Sequence, residues 1–159
     1  LMQATAEHGY DHYEISNFAR PGHYARHNGN YWRGEHYLGI GPSAHSFDGA
    51  SRQWNVSNNA LYIKALNGDD LFFEREILTS EQQFNEYIMT ALRTIWGVEM
   101  PKLHRLAPAF ATYFEKAVQP YVAAGTVEQA GEVYRLTRAG KLLADRIAME
   151  MFLDGNADE

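Results

Sequence analysis

The chain has 159 residues, enough for one ordinary domain or a small domain with an appendage, and 45% are hydrophobic against 21% charged, the balance of a globular protein rather than a disordered one. With 14 Lys and Arg against 20 Asp and Glu, the net charge of -6 argues against nucleic acid as a partner, because phosphate contacts need a local excess of cations. There is no cysteine, so disulfides and thiolate-held metal or iron–sulfur sites cannot be built from these residues. No apolar run reaches the roughly 20 residues that span a bilayer, and the location expected is the cytoplasm or the periphery of a membrane. Leu1-Met2-Gln3-Ala4 lacks both an initiator Met at position 1 and the regions of a signal peptide, and reads as the cut end of a longer chain.

His8, His12, His23, His27, His36 and His45 crowd the first third of the chain. Around residues 67–80, where Asn67-Gly68-Asp69-Asp70 punctuates it, the composition shifts towards Leu, Ala, Glu and Arg. The organisation expected is an N-terminal part over 1–66, a linker over 67–79, a helical part over 80–153 and a frayed acidic tail over 154–159.

Residues 3–9 read as the tail of a helix closed by Gly9. Tyr10 to Phe18 alternates loosely and reads as one strand, broken by Ala19-Arg20-Pro21-Gly22. His23 to Trp32 is a helical turn or a loop; if helical, it sets His23 and His27 on one face. Tyr37 to Gly41 reads as a second strand stopped by Pro42, and Gly39 and Gly41 leave room for a ligand or another backbone. Asn58 to Leu66 is a helix capped by Asn58 or Asn59.

From Thr79 onward the periodicity sharpens. Thr79-Ser80-Glu81-Gln82-Gln83 offers a capping box in two registers, and Phe84, Tyr87, Ile88, Ala91, Leu92, Ile95 and Trp96 form an apolar stripe ended by Gly97. Pro101 opens a short helix, and Pro108 to Ala124 makes another that Pro120 should kink or split. Two alternating runs around Ala130-Gly131-Glu132 predict a hairpin. Thr137 then caps a final helix with Leu142, Leu143, Ile147, Met151 and Phe152 inward. The order is winged-helix-like and the fold class α+β.

The chemistry is concentrated in His27-Asn28-Gly29-Asn30-Tyr31-Trp32 and in Tyr37-Leu38-Gly39-Ile40-Gly41-Pro42-Ser43-Ala44-His45-Ser46. Imidazoles beside aromatic rings suit a flat, partly charged ligand. His27 or His45 could ligate a haem iron, Tyr31, Trp32 and Tyr37 could stack on the ring, and Arg20, Arg26 or Arg33 could pair with propionates. The plainer alternative is an aromatic-rich loop that only packs. A DNA-reading helix is disfavoured because cations and acids balance across residues 80–150. A zinc site from His23, His27 and His36 or His45 lacks regular spacing, and no metal site is expected. Gly41-Pro42-Ser43-Ala44-His45 lacks the second Gly of a nucleophile elbow, and no catalytic residue is assigned.

Tyr13-Glu14-Ile15-Ser16-Asn17-Phe18-Ala19-Arg20-Pro21-Gly22, Arg26 to Trp32 and Tyr37 to Ser46 together resemble the C-terminal half of the oxygen-independent coproporphyrinogen III oxidase-like family of radical S-adenosylmethionine (radical SAM) proteins. The pattern HNxxYW at His27 to Trp32 is similar to the haem-chaperone (HemW) branch. Leu136-Thr137, Gly140 and Leu142-Leu143-Ala144-Asp145 resemble the end of the same family, and Ser43 stands where relatives often have Gly. The resemblance implies that residues 1 to about 60 are the last strands and helices of a partial TIM-like (β/α) barrel. A helical, winged-helix-like domain would follow and cover its mouth, with Gly39 and Gly41 as barrel-mouth backbone. It also implies a [4Fe–4S] cluster and S-adenosylmethionine on an N-terminal half bearing CxxxCxxC. That motif is absent here, so the segment alone is expected to be inactive.

For function, the resemblance implies a haem chaperone, with His27, Asn28, Tyr31, Trp32 and His45 as candidate haem-binding residues and a haem-acceptor protein as partner. Its alternatives are an oxidase that decarboxylates coproporphyrinogen III propionates, or an interaction module without activity of its own. Parallel barrel strands depend on their neighbours. The remnant is therefore expected to need the N-terminal half of the barrel, and otherwise to dimerise through strand edges or lose order over residues 1–50.

Overall fold

The computed structural model describes residues 1–68 and 73–153, and these divide into two compact units, Leu1–Arg33 with Ser80 onward, and Gly34–Thr79. The first unit opens with α1 (Met2–Glu7), after which Gly9 takes φ +77°, a left-handed value at which glycine closes helices. The single strand expected over Tyr10 to Phe18 is instead a hairpin, β1 (Asp11–Glu14) pairing antiparallel with β2 (Asn17–Ala19). The Glu14 carboxylate accepts the Ser16 N–H and Asn17 Nδ2, and this side-chain turn leaves no mark on apolar alternation. α2 (Arg26–Arg33) follows. His23 lies outside it and bonds the Pro21 carbonyl, so the expected His23/His27 face does not form.

The second unit is built on an antiparallel sheet of β3 (His45–Phe47), β4 (Ser51–Asn55) and β5 (Phe73–Ile77), with α3 (Asn59–Leu66) between β4 and β5 in the chain. α3 starts as expected, the Asn58 side chain accepting the Leu61 N–H at 3.1 Å. β5 occupies part of the stretch expected as linker, of which residues 69–72 lie outside the described residues. Tyr37 to Gly41 is not a strand: Tyr37 alone exchanges two backbone bonds with Phe47. Beyond it, Asn55 Nδ2 donates to the Gly39 and Gly41 carbonyls, while Ser46 Oγ and the Tyr62 hydroxyl accept the two N–H groups. Side chains thus take the bonds of a ladder partner. A Cβ on Gly39 would lie 2.2 Å from the His45 carbonyl oxygen, a backbone approach that only glycine permits.

The first unit resumes at α4 (Ser80–Leu92), which buries Phe84, Ile88, Ala91 and Leu92. The helix stops at Leu92, so Ile95 and Trp96 belong to the segment that turns at Gly97 into β6 (Val98–Glu99). α5 (Met100–Leu106) has Pro101 in its first turn, and α6 (Pro108–Ala123) continues through Pro120 without splitting. Lys116, whose carbonyl loses a donor to Pro120, is on the exposed side, where water can satisfy it. β7 (Val127–Ala130) and β8 (Val133–Leu136) form the expected hairpin, and β6 joins it in the order β6-β8-β7. Thr137 Oγ1 accepts the Gly140 N–H at the head of a 3-10 turn, Gly140–Leu143, that leads into α7 (Ala144–Met149). That turn changes the helical phase, so Leu142 and Leu143 face solvent rather than inward, whereas Ile147 and Met151 are buried. The expected tail, 154–159, lies outside the described residues.

All strand pairs among the described residues are antiparallel, and with the helices they make an α+β architecture. The units do not follow the division expected at 67–79. The Ile15 N–H donates to the Arg93 carbonyl and the Ile95 N–H to that of Tyr13, so β1 is tied to the segment after α4 and Ile15 packs on the helical core. Among the described residues no helix is long and apolar enough to cross a membrane.

Phe114 is fully buried, with its ring edge-on to Tyr134 at 5.3 Å. Phe114→Ala should cost about 3–5 kcal/mol in urea unfolding, while Leu142→Ala, at a side chain 73% exposed, should stay within about 0.5 kcal/mol.

Candidate functional site

α2 is held on its inner side by rings and ions of its own unit. Just before it, Tyr24 stacks on Tyr13 at 4.8 Å, meets Trp96 edge-on at 6.2 Å, and donates its hydroxyl to Asp11 Oδ2 at 2.5 Å. That bond, with desolvation, pushes the Tyr24 phenol above its ordinary pKa. Within the helix, the Trp32 ring carries the Arg93 guanidinium at 5.5 Å. Arg93 in turn bonds Glu14 Oε1 at 3.2 Å and Asp145 Oδ1 at 2.5 Å, and Glu14 is 1% exposed. Trp32 Nε1 is buried without a hydrogen-bond partner among the described residues. At the far end, the Arg33 guanidinium lies 4.5 Å over Trp96, and Lys102 Nζ donates to the Arg33 carbonyl at 3.1 Å, satisfying an end-of-helix acceptor.

The outer side of α2 is different. At 3.6 residues per turn, Arg26, Asn30, His27 and Tyr31 follow one another around a continuous arc, and all four are exposed. His27 stands edge-on to Tyr31 at 4.9 Å between centroids. Asn28 is exposed as well. Trp32, expected among the ligand-facing rings, is the residue that the structure turns inward towards Arg93.

The second unit has its own concave surface. Strand alternation and the register His45↔Trp54↔Glu74 and Phe47↔Arg52↔Glu76 place these six residues on one sheet face. The His45 and Trp54 rings are 6.1 Å apart, and Trp54 Nε1 donates to Glu74 at 3.1 Å. Two open cavities, of ≈ 350 Å³ and ≈ 470 Å³, share the His45–Trp54 pair as a wall, and both fall within the roughly 300–1,000 Å³ of ligand sites. Ser43, at φ +60°, lines the larger cavity, a strained position for a residue with a Cβ. The glycine loop is no anion cradle, since the N–H groups of Gly39, Gly41 and Ser43 all have partners inside the unit. Asp48 braces the β3–β4 turn: the Ala50 N–H, the Ser51 hydroxyl and N–H, and Arg75 hold its carboxyl at about 2.

Hydrogen bonding sorts the histidines. His8, His12 and His23 each bond a backbone carbonyl. His27, His36, His45 and His104 make no such bond among the described residues, and an imidazole nitrogen without a competing partner is what ligation of iron requires. Taken singly, His27 beside Tyr31 or His45 beside Trp54 has the chemistry that a haem iron would need. His27, Asn28, Tyr31 and Trp32 belong to α2, whereas Gly39, Gly41 and His45 belong to the second unit. Among the described residues no three His, Asp or Glu side chains gather as a metal site. Sequence reading missed Trp54, whose strand is too short to show alternation, and the Glu14–Arg93 pair, 79 residues apart.

Residues 78–143 match the family described as the HemN C-terminal domain. Over 142 residues the chain is 34% identical to heme chaperone HemW of Mycobacterium tuberculosis (strain H37Rv), covering 87% of this chain and 34% of the relative. It is 29% identical to heme chaperone HemW of Bacillus subtilis, covering 92% and 39% respectively. The chain is HemN/HemW-like, corresponding to the C-terminal part of those proteins. It thus spans less than two fifths of the length of these two relatives. The HemN/HemW-like fold is also seen in a solved structure, the radical SAM enzyme coproporphyrinogen III oxidase (HemN) from Escherichia coli. That match has TM-score 0.68 at 20% identity and covers 95% of this chain and 39% of that one.

Two stability measurements follow from these sites. Arg93→Ala strands the Glu14 carboxylate in the interior and should cost about 3 kcal/mol in chemical denaturation, with part of the loss recovered in Arg93→Lys. The depressed Asp48 pKa gives stability that is complete above the unfolded value of 3.8 and is lost as pH falls through about 2. Asp48→Asn should therefore flatten the acid limb of a stability–pH profile in that window and change nothing in its shape above pH 5.

Proposed function

We propose that this HemN/HemW-like segment binds haem through His27 and belongs to a haem chaperone that delivers haem to an acceptor protein. The observation that carries the reading is the His27 imidazole itself: exposed on the outer arc of α2, beside Tyr31, and without a hydrogen-bonding partner among the described residues. Relatives named heme chaperone HemW support it. A bound haem would supply an iron for the His27 imidazole to hold, with Tyr31 and Asn28 as its neighbours on α2, while Trp32 and Arg93 keep the helix face in place from behind. His45 is the second candidate ligand, because it walls two cavities together with Trp54.

In this reading residues 1 to about 60, whose described strand pairs are all antiparallel, adjoin the end of a partial (β/α) barrel instead of supplying its parallel strands, and the helices with β7–β8 are a winged-helix-like domain. The [4Fe–4S] cluster and S-adenosylmethionine belong to a cysteine-bearing part of the whole protein, since this chain has no thiolate to offer. The oxidase reading has a likeness in fold for its support, and product analysis with coproporphyrinogen III on the cluster-loaded full-length protein separates the two.

Haem titration into the full-length protein should give a Soret band with the signature of imidazole ligation. His27→Ala should abolish or shift that band and His45→Ala leave it in place, with far-UV circular dichroism unchanged in both. A band indifferent to His27→Ala overturns the assignment of that residue.

A further inference from the structure

Between Glu14 and Glu35 the chain carries Arg20, Arg26 and Arg33 and no carboxylate, a cationic stretch within a chain of net charge -6. The structure does not leave the three arginines equivalent. Arg20 lies 5.7 Å over the Tyr10 ring and Arg33 4.5 Å over Trp96, so each has an aromatic face to rest on. Arg26 has no ion pair, hydrogen bond or ring contact among the described residues, and it is exposed. It also stands on the outer arc of α2, adjacent in sequence to His27 and one turn before Asn30. Side chains four apart on a helix lie about 5–6 Å from each other, so the guanidinium and the Asn30 amide can converge on one oxyanion next to the imidazole.

We propose that Arg26, assisted by the Asn30 amide, is the anchor for a peripheral carboxylate of the macrocycle bound at His27. This deepens the haem-binding reading and rests on it. The ligand class follows: a porphyrin with free carboxylates, in preference to one whose carboxylates are masked. Guanidinium suits the task because its planar fork of donors matches a carboxylate bidentately. Its stem can also lie along the ring edge while the charge meets the acid.

The experiment uses haem and haem dimethyl ester as probes, each titrated into the full-length protein and its variants. The wild type should bind haem about two- to fivefold more tightly than the ester, the scale of an exposed ion pair. In Arg26→Gln the two should bind alike, with ester affinity and the Soret maximum as in the wild type, and Arg26→Lys should restore part of the preference. Added salt should erode the preference in the wild type and have no such effect in Arg26→Gln. An Arg26→Gln protein that still favours haem as the wild type does overturns the proposal. The His27 reading fails by a different sign, a Soret band unchanged in His27→Ala, so the two failures are told apart.

Discussion

The fold of the first unit depends on one buried charge. Glu14 is 1% exposed, and moving a carboxylate out of water costs several kcal/mol unless its oxygens are satisfied. Here they are, by the Ser16 N–H, Asn17 Nδ2 and Arg93 Nε. Those three donors come from a turn and from the end of a distant helix. The same carboxylate therefore makes the β1–β2 hairpin reverse where it does and pins that hairpin to α4. Arg93 passes the constraint on, lying over Trp32, so that α2 has a fixed inner side and an exposed outer one.

That asymmetry gives the candidate site its character. Trp32 faces inward, and the outer arc exposes an imidazole, a phenol, an amide and a guanidinium. Such a surface offers directed polar groups and rings rather than an enclosed cavity. The second unit shows the opposite design. Its glycine loop has its polar backbone groups taken by Asn55, Ser46 and Tyr62, and the surface it supports is concave, aromatic and strained at Ser43. His27 and His45, two of the four imidazoles without a hydrogen bond among the described residues, thus sit in two different settings, one on an exposed helix face and one in a cleft.

The apolar periodicity of the chain and its capping residues determined much by themselves: α4 from Ser80, α6 from Pro108, the β7–β8 hairpin around Gly131, the Asn58-capped α3, and the absence of any thiolate chemistry. These are local properties, set by side chains within a few positions of one another. The concentration of chemistry in His27 to Trp32 was equally plain. Only the tertiary structure decided that Tyr10 to Phe18 turns back on itself, that Tyr37 to Gly41 forms no ladder, that Leu142 and Leu143 face solvent, and that residues 1–33 join the helical unit. It also decided which way each side chain of α2 faces, sending Trp32 inward and Arg26 and His27 outward. The physical reason is common to all of these: the deciding partners, Arg93 for Glu14, Asn55 for the glycine loop and Trp96 for Arg33, lie well outside any local window. No pattern in the sequence ties a buried carboxylate to the one arginine that makes it affordable.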